Sequence, residues 1–569
     1  MRKLLSKLSD QGLLKPDAVD HICAMHRDGA PLDDVLLQQA GTAEEQVDIL
    51  RALASEFKIP FVDLKAYPVQ PELLDRFPAR VLIKHRILPL EKQNGSVLVA
   101  TSSVFDTAGL DELRVVTGTM CKPALAAPQE LEQCLKQALG VGADTVQSLV
   151  AGAANGDIEV LANEEGEDVD LAEVAQDASI IKFVNQILTE AIARRATDVH
   201  IEPFEDELRV RYRVDGIMQE ANVPAQTRQL HAAIVSRLKI ISHLDIAEKR
   251  LPQDGRIKLR IGAREIDVRM SVIPMLHGEA IVLRLLDRSS AMLGLEKLGM
   301  SPDDRREFER ALGLPHGIIL VTGPTGSGKT TTLYAGLATI NDITRKIITI
   351  EDPIEYHLMG VNQIQVSTKT GLTFARGLRS ILRHDPDVIL VGEIRDSETA
   401  QISVQASLTG HLVFSTLHTN DAPGAHARLI DMGVEPYLVA SSLELVLAQR
   451  LVRLICASCR QRISVGDAAR LCEEVGADLP DSLYQGIGCS ECQGTGYRGR
   501  MGIFEMMPID DSIRDLVLRL ASAGEIRKVA VENGMTSLRT DGWRMIREGM
   551  TTLEEVLRVT KDEPVSFEI

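Results

Sequence analysis

Apolar residues along the first 60 positions recur with helical spacing. Leu32, Val35 and Leu36 fall at i, i+3 and i+4, and Val47, Leu50 and Leu53 at i, i+3 and i+6, so each set lines one buried helix face. Gly12-Leu13-Leu14 followed by Lys15-Pro16-Asp17 reads as the end of one helix and the start of another. Thr42 ahead of Ala43, Glu44 and Glu45 has the form of an N-cap with acid in the first turn. From 61 to 136, short β-like runs (97–100 and 121–125) mix with helical ones, which predicts a small α/β module. A helix over 180–194 leads into Leu208-Arg-Val-Arg-Tyr-Arg-Val214, where apolar and basic residues take opposite faces of a strand. Further strands are expected at 256–261, 264–272 and 280–286. From 295 to 450 strand and helix patterns alternate, which argues for a parallel sheet with helices packed on it. The last 65 residues read as short helices.

Between 141 and 181 the pattern fails. There is no Lys or Arg in that stretch, and Glu164, Glu165, Glu167, Asp168 and Asp170 crowd together among Gly, Ala and Asn. Such a segment repels itself and stays solvated, so it reads as an acidic tether between domains. The 569 residues suit three to four domains, and 44% hydrophobic with 25% charged residues is ordinary globular usage. A net charge of −18 and an aromatic content of 3% speak against bulk nucleic-acid binding, which needs cations for the backbone and rings for the bases. No apolar run approaches the ~20 residues that span a bilayer. The basic N-terminus reaches Asp10 before any segment of signal-peptide length, so the cytoplasm is the expected compartment. Cys23, Cys121, Cys134 and Cys472 are isolated and read as small buried thiols.

The strongest chemical signal is Gly323-Pro324-Thr325-Gly326-Ser327-Gly328-Lys329-Thr330, between a β run at 318–322 and a helical run at 331–340. Strand, glycine loop and helix in that order make a phosphate loop. Its glycines let successive N–H groups turn toward one centre, and the following helix adds its positive end. Lys329 supplies a charge for the β- and γ-phosphates, and the Thr330 hydroxyl can ligate Mg²⁺. Hydrolysis also needs carboxylates. Two acidic clusters follow apolar runs, Glu351-Asp352-Pro353 after 347–350 and Gly392-Glu393 after 388–391. Ligands of open α/β sheets bind beyond the carboxyl ends of the strands, so both clusters are placed to reach one nucleotide. The usual Walker B aspartate is absent, and Glu393 stands after a glycine instead.

Cys456-Ala-Ser-Cys459 and Cys489-Ser-Glu-Cys492 are two CxxC knuckles separated by 29 residues. Four thiolates so placed can surround Zn²⁺ tetrahedrally, with Gly486, Gly488, Gly494 and Gly496 easing the second turn. Thiol redox chemistry is the competing use, but it needs only one such pair. With four ligands taken, the metal would brace the fold and leave no open catalytic position.

The string Gly323-Pro-Thr-Gly-Ser-Gly-Lys-Thr-Thr331-Thr-Leu-Tyr334 stands with Glu351-Asp-Pro-Ile-Glu355, Asp385-Pro-Asp-Val-Ile-Leu-Val-Gly-Glu-Ile-Arg-Asp396 and Gly410-His-Leu-Val-Phe-Ser-Thr-Leu-His-Thr-Asn420. Together they resemble the Walker A, aspartate, Walker B and histidine boxes of the secretion ATPase superfamily. The likeness continues upstream through Ala196-Thr-Asp-Val-His-Ile-Glu-Pro203, Arg211-Tyr-Arg-Val-Asp-Gly216 and Ala247-Glu-Lys-Arg-Leu-Pro-Gln-Asp-Gly-Arg256, and covers 178–560. The cysteine insert is a mark of assembly motors, which retraction motors lack. Val446-Leu-Ala-Gln-Arg-Leu-Val-Arg-Leu-Ile-Cys456 looks most like the ATPases of type II secretion, with those of type IV pilus assembly as the near alternative.

The resemblance implies an α/β fold: a RecA-like phosphate-loop domain (291–569) with a tetracysteine zinc insert (453–500), a PAS-like N2 domain (178–290), the acidic linker (141–177) and a small N-terminal α/β recruitment domain (1–140). It implies ATP, Mg²⁺ and Zn²⁺ as cofactors. Glu351 corresponds to the general base or water-positioning residue and Glu393 to the Mg²⁺-side carboxylate. Arg211, Arg379 and Arg383 match phosphate-sensing arginines, and His418 matches a reporter of γ-phosphate state. Arg228 matches a further arginine only across a gap. Implied partners are five more copies in a homo-hexamer, an inner-membrane platform protein (GspF-like) and the cytoplasmic part of a GspL-like recruiter. The place is the cytoplasmic face of the inner membrane, held peripherally. In some relatives Arg-Leu-Gly-type motifs of the N-terminal domain bind cyclic di-GMP. This chain has Ala30-Pro31-Leu32 there, and the missing arginine speaks against it. The function implied is a cytoplasmic ATPase that powers pseudopilus assembly and protein export, rather than a nucleic-acid translocase or a nucleotide-sensing scaffold.

Overall fold

The computed structural model describes residues 2–139 (apart from 15–17, 28–31, 41, 65–66, 68–70, 75, 94 and 106), 159–160, 178–287 (apart from 262–263), 294–463 and 482–560. The chain divides into two units, Met1–Leu286 and Asp287–Ile569.

In the first unit, the helices Arg2–Asp10, Ala18–Arg27, Leu32–Gln38 and Ala43–Phe57 share a core with Leu5 and Ile22. Of the two sets marked by spacing, Leu32, Val35, Leu36, Leu50 and Leu53 are buried and Val47 is half-buried. Thr42 caps the fourth helix through a reciprocal pair with Glu45, as its position suggested. A three-stranded sheet follows: β1 (Leu88–Gln93), β2 (Ser96–Thr101) and β3 (Met120–Leu125), with β1–β2 antiparallel and β2–β3 parallel across the helix Ala108–Thr117. Asp33 ties the helical part to the end of β2 by accepting the Val104 and Phe105 N–H groups at 3.1 Å. Cys121 and Cys134 are half-buried rather than buried, because one lies on the edge strand and the other on a partly covered helix. Cys472, residues 30–31 of the Ala30-Pro31-Leu32 site and most of the acidic tether lie outside the described residues. Within that tether Glu159–Val160 (β4) does form a short strand, paired with the strand Gln253–Ile261.

The second sheet of this unit has the order β4-β8-β9-β10-β5-β6-β7. Its strands are β5 (Ala196–Pro203), β6 (Leu208–Val214), β7 (Ile217–Ala221), β8 (Gln253–Ile261), β9 (Arg264–Met275) and β10 (Gly278–Asp287). Helices Ala178–Ala193 and His231–Ile241 contribute Phe183, Ile187, Ile234 and Leu238 to its core, with Val210 and Tyr212 from β6. The alternate positions make a polar ladder in which Asp198 faces Arg213, His200 faces Arg211 and Glu202 faces Arg209. The basic alternation read in 208–214 is therefore one face of β6.

The second unit is built on β11 (Gly317–Thr322), β12 (Ile347–Glu351), β13 (Asn362–Gln365), β14 (Val388–Val391), β15 (Leu412–Leu417), β16 (Leu443–Ile455) and β19 (Tyr497–Pro508), in the order β13-β12-β14-β15-β11-β16-β19. All pairs are parallel except β16–β19. Successive residues feed two different cores. Ile318, Leu320, Ile348, Ile350 and Val391 pack on one side, and Ile319, Val321, Ile347, Leu390 and Phe414 on the other. Burial on both faces is why these strands read as unbroken apolar runs. The order places β11, β14 and β12 so that their carboxyl ends gather at one edge of the sheet.

β16 and β19 form a long antiparallel ribbon, and the cysteine segment lies between them with a small hairpin of β17 (Arg460–Ile463) and β18 (Leu483–Gly486). β19 was not legible beforehand. Its first half is Gly- and Arg-rich, and Glu505 interrupts its apolar half. That glutamate is fully buried and accepts the Ala422 N–H at 2.8 Å and the Arg527 guanidinium at 3.1 Å, while Arg527 also holds Asp421 at 2.6 Å. The trio fastens the loop after β15 to the helix Ala523–Glu532. Four short helices end the described chain, as the pattern suggested.

Candidate active site

The glycine loop takes its shape from three left-handed positions, with φ of 143° at Gly323, 82° at Gly326 and 91° at Gly328. A Cβ at Gly323 would stand 2.6 Å from the Gln449 carbonyl oxygen, and one at Gly328 would stand 2.8 Å from Gln449 Nε2. Two of the glycines are thus required by conformation and by the approach of β16 beneath them. Gln449 is buried, and its Oε1 accepts the Thr332 hydroxyl at 2.8 Å, pinning the first turn of the helix Lys329–Ile340. Gly328 caps that helix without a side-chain hydrogen bond, so its first N–H groups face the loop. Pro324, Thr325, Gly326 and Thr330 are exposed, Ser327 is buried and Thr331 is half-buried.

Lys329 reaches back to donate to the carbonyl oxygens of Gly323 at 2.7 Å and Pro324 at 3.1 Å. Burial pushes its ammonium down to about 8, the nearby charge of Glu393 opposes that, and Arg450 adds to it. Arg450 is bonded to Asn420, at the end of the histidine box.

The two acidic clusters leave neighbouring strands. β12 and β14 pair from Ile347–Val388 to Ile350–Val391, and the Gly392 N–H then bonds the Ile350 carbonyl at 2.8 Å. A Cβ on Gly392 would lie 3.3 Å from the Glu351 Cα, so the glycine permits the strand ends to run this close. Thr416 of β15 donates to the Gly392 carbonyl at 2.8 Å from the other side. Glu393 pairs with Arg395 at 2.5 Å and stands 3.4 Å from His418 Nε2. The structure therefore brings Glu393 and His418 together. Glu351 is buried at 4% exposure. It accepts hydrogen bonds from the Tyr334 hydroxyl, from Thr349 Oγ1 at 2.6 Å and from Gln363 Nε2 at 3.2 Å.

The arginines are engaged elsewhere. Arg379, on the helix Phe374–Ile381, pairs with Glu398 at 2.6 Å, and Arg383 donates to the Arg379 carbonyl at 2.9 Å. In the first unit Arg211 forms a bidentate pair with Glu202, both bonds at 2.9 Å, and Arg228 donates to the Phe204 carbonyl at 2.9 Å. Tyr334 and Gln449 stand inside the strings that resemble the family but carry no role there, and Thr349 and Gln363 lie outside every motif. A glutamine next to the apolar run 445–448 is a signal for Gln449.

The four insert cysteines converge. Their Sγ atoms all lie within 4.8 Å of one another, with Cys456–Cys489 and Cys459–Cys492 at 3.8 Å and Cys489–Cys492 at 3.7 Å. Two thiolates each ~2.3 Å from one tetrahedral ion stand about 3.8 Å apart, so the donor set fits zinc in number, softness and spacing. Cys492 Sγ accepts N–H groups from Cys489 at 3.1 Å and Gly496 at 3.3 Å, the knuckle pattern that steadies a metal-bound thiolate.

Residues 173–558 match the family described as Type II/IV secretion system protein, and residues 57–144 match the MshEN domain. The chain is 44% identical to the type IV pilus assembly ATPase PilB of Myxococcus xanthus over 92% of each chain. It is 55% identical to type II secretion system protein E of Pseudomonas aeruginosa over 72% of this chain and 80% of that one. With the protein of the same name from Dickeya dadantii it shares 49% identity over 87% of this chain and 98% of that one. Among solved structures the ATPase DotB of Legionella pneumophila aligns over 67% of this chain and 96% of its own, with 20% identity and a TM-score of 0.51, a likeness of fold.

The half-buried Lys329 predicts a pH-dependent nucleotide affinity. Its folded value of about 8 lies below the ordinary lysine range, so the free site loses this charge as pH rises through 8. ADP affinity, read by fluorescent-nucleotide displacement, is expected to be level from pH 6.5 to 7.5. Above pH 8 it should fall by up to about tenfold per pH unit.

Proposed function

The chain belongs to the type II/IV secretion system protein family and hydrolyses ATP, and from that premise we propose that it is the assembly motor of a type II secretion system. In this reading it works as a homo-hexamer on the cytoplasmic face of the inner membrane. An inner-membrane platform protein receives the stroke, and residues 1–140 dock on a membrane-anchored recruiter. The relatives named type II secretion system protein E support it. Among the described residues no helix is long and apolar enough to cross a membrane, in keeping with a peripheral protein. The net charge of −18 supports a protein partner over nucleic acid.

The observation that carries the mechanism is the pairing of β12 with β14 beside the glycine loop, which sends Glu351 and Glu393 from adjacent strand ends toward one edge of the sheet. In hydrolysis a water oxygen bonds the γ-phosphorus, the bond to the bridging oxygen breaks, and the water gives up a proton. The loop N–H groups from Gly323 to Thr331, Pro324 excepted, and the Lys329 ammonium hold the β- and γ-phosphates. Thr330 and Glu393 offer hard oxygen ligands suited to Mg²⁺, which when bound neutralises phosphate charge. Glu351 orients the water and takes its proton. Arg211, Arg379 and Arg383 serve the transferred phosphoryl group. Arg211 and Arg379 now hold carboxylates, and a guanidinium can exchange a carboxylate for a phosphate because each offers a pair of oxygens for bidentate bonding. His418, beside Glu393, senses whether the γ-phosphate is present.

Zn²⁺ held by Cys456, Cys459, Cys489 and Cys492 would lock the end of the β16–β19 ribbon. With four sulfurs around it, it has no open position for substrate.

A pilus assembly motor is the second reading, favoured by the match to PilB over 92% of both chains. Co-purification with the platform protein of one system and not the other separates the two.

Glu351→Gln tests the mechanism. Phosphate release is expected to fall at least about 100-fold, the scale of general-base loss, with nucleotide affinity within a few-fold of the parent. Near-parental turnover would remove Glu351 from the reaction. For the insert, elemental analysis is expected to find about one zinc per chain, and Cys456→Ser to lower both that content and the midpoint of thermal unfolding.

A further inference from the structure

Glu351 lies in a cage of donors rather than in open solvent. Tyr334 comes from the helix that begins at Lys329, Thr349 from the same strand two residues earlier, and Gln363 from the edge strand β13. The Tyr334 hydroxyl bonds Oε2, and Thr349 bonds Oε1. Gln363 Nε2 bonds Oε1 at 3.2 Å, the Tyr334 oxygen at 3.4 Å and the Tyr356 carbonyl at 3.0 Å. Gln363 Oε1 in turn accepts the Leu358 N–H at 2.8 Å. The carboxylate is thereby tied to the loop that follows it and to the phosphate-binding helix. Tyr334 stands four residues after Thr330, one helical turn on and on the same face.

We propose that Tyr334 is a positioning residue for hydrolysis: its hydroxyl fixes the Glu351 carboxylate and registers it against the helix that carries Lys329 and Thr330. The proposal rests on Glu351 being the water-positioning group. A buried Phe would fill the same space, so the hydroxyl is needed for its bond and not for bulk. Both partners are inside the protein, where a lost donor leaves a carboxylate oxygen under-satisfied and free to rotate. Displacing a catalytic group by about 1 Å can cost on the order of 100-fold in rate while leaving substrate contacts intact. The phosphate contacts of the loop do not involve Tyr334, so binding and turnover are affected separately. Burial, and then the Glu351 charge, hold the phenol well above its ordinary range, so it remains a donor at every working pH.

The experiment compares Tyr334→Phe, Glu351→Gln and the double variant in the full-length protein. For Tyr334→Phe, kcat is expected to drop 10- to 100-fold (roughly, by the displacement argument) with KM and ADP affinity within about twofold. The double variant should be no slower than Glu351→Gln alone, because the tyrosine acts through that carboxylate. Thr349→Val should move kcat in the same direction, and Thr349→Ser, which keeps a hydroxyl, should stay near the parent. Unchanged kcat in Tyr334→Phe overturns the proposal. So does a parallel loss of nucleotide affinity and of thermal stability, which marks a structural role. Parental turnover in Glu351→Gln instead brings down the assignment of the base, on which this proposal rests.

Discussion

The hydrogen bond from the Gly392 N–H to the Ile350 carbonyl, at 2.8 Å, is the constraint on which the site depends. It extends the β12–β14 ladder by one rung beyond the last apolar pair. Glu351 and Glu393 are thereby fixed on neighbouring strand ends and cannot splay apart. A residue larger than glycine at 392 would push on the backbone of Glu351. The Thr416 hydroxyl bonds the Gly392 carbonyl from β15, so the rung is held from both flanks. Main-chain pairing thus fixes the two acidic strand ends first and side chains second, and a site built on strand ends inherits the rigidity of the sheet.

Beneath the glycine loop a second constraint works by exclusion. β16 passes so near that Gly323 and Gly328 have no room for a side chain, and Gln449 fills the remaining gap with a bond to Thr332. The loop therefore has a floor and a fixed first helical turn. Its exposed part is the span from Pro324 to Gly326, where a ligand would meet it.

Much of this was readable in the chain. The central strands announce themselves as apolar runs because both faces are covered, the glycine spacing names the phosphate loop, and two CxxC pairs name a tetrahedral sulfur set. Polar partners drawn together by long-range register were not readable. Glu505 sits at the centre of β19 because Ala422 and Arg527 satisfy it, and neither lies near it in sequence. Tyr334, Thr349 and Gln363 look like ordinary helix and strand residues until parallel pairing sets them around one carboxylate. The arginines present the opposite case. Motif resemblance marks Arg211 and Arg379 for phosphate, and the structure has each on a carboxylate, a partner that no local pattern foretold.

β16 carries Gln449 near its middle and ends at Ile455, one residue before Cys456. Six residues of extended chain make about 20 Å, so a single strand joins the floor of the phosphate loop to the sulfur cluster. The sulfur cluster and the floor of the loop are thus two points on one uninterrupted span of backbone, and whatever holds the four sulfurs also anchors the far end of the strand on which Gln449 sits.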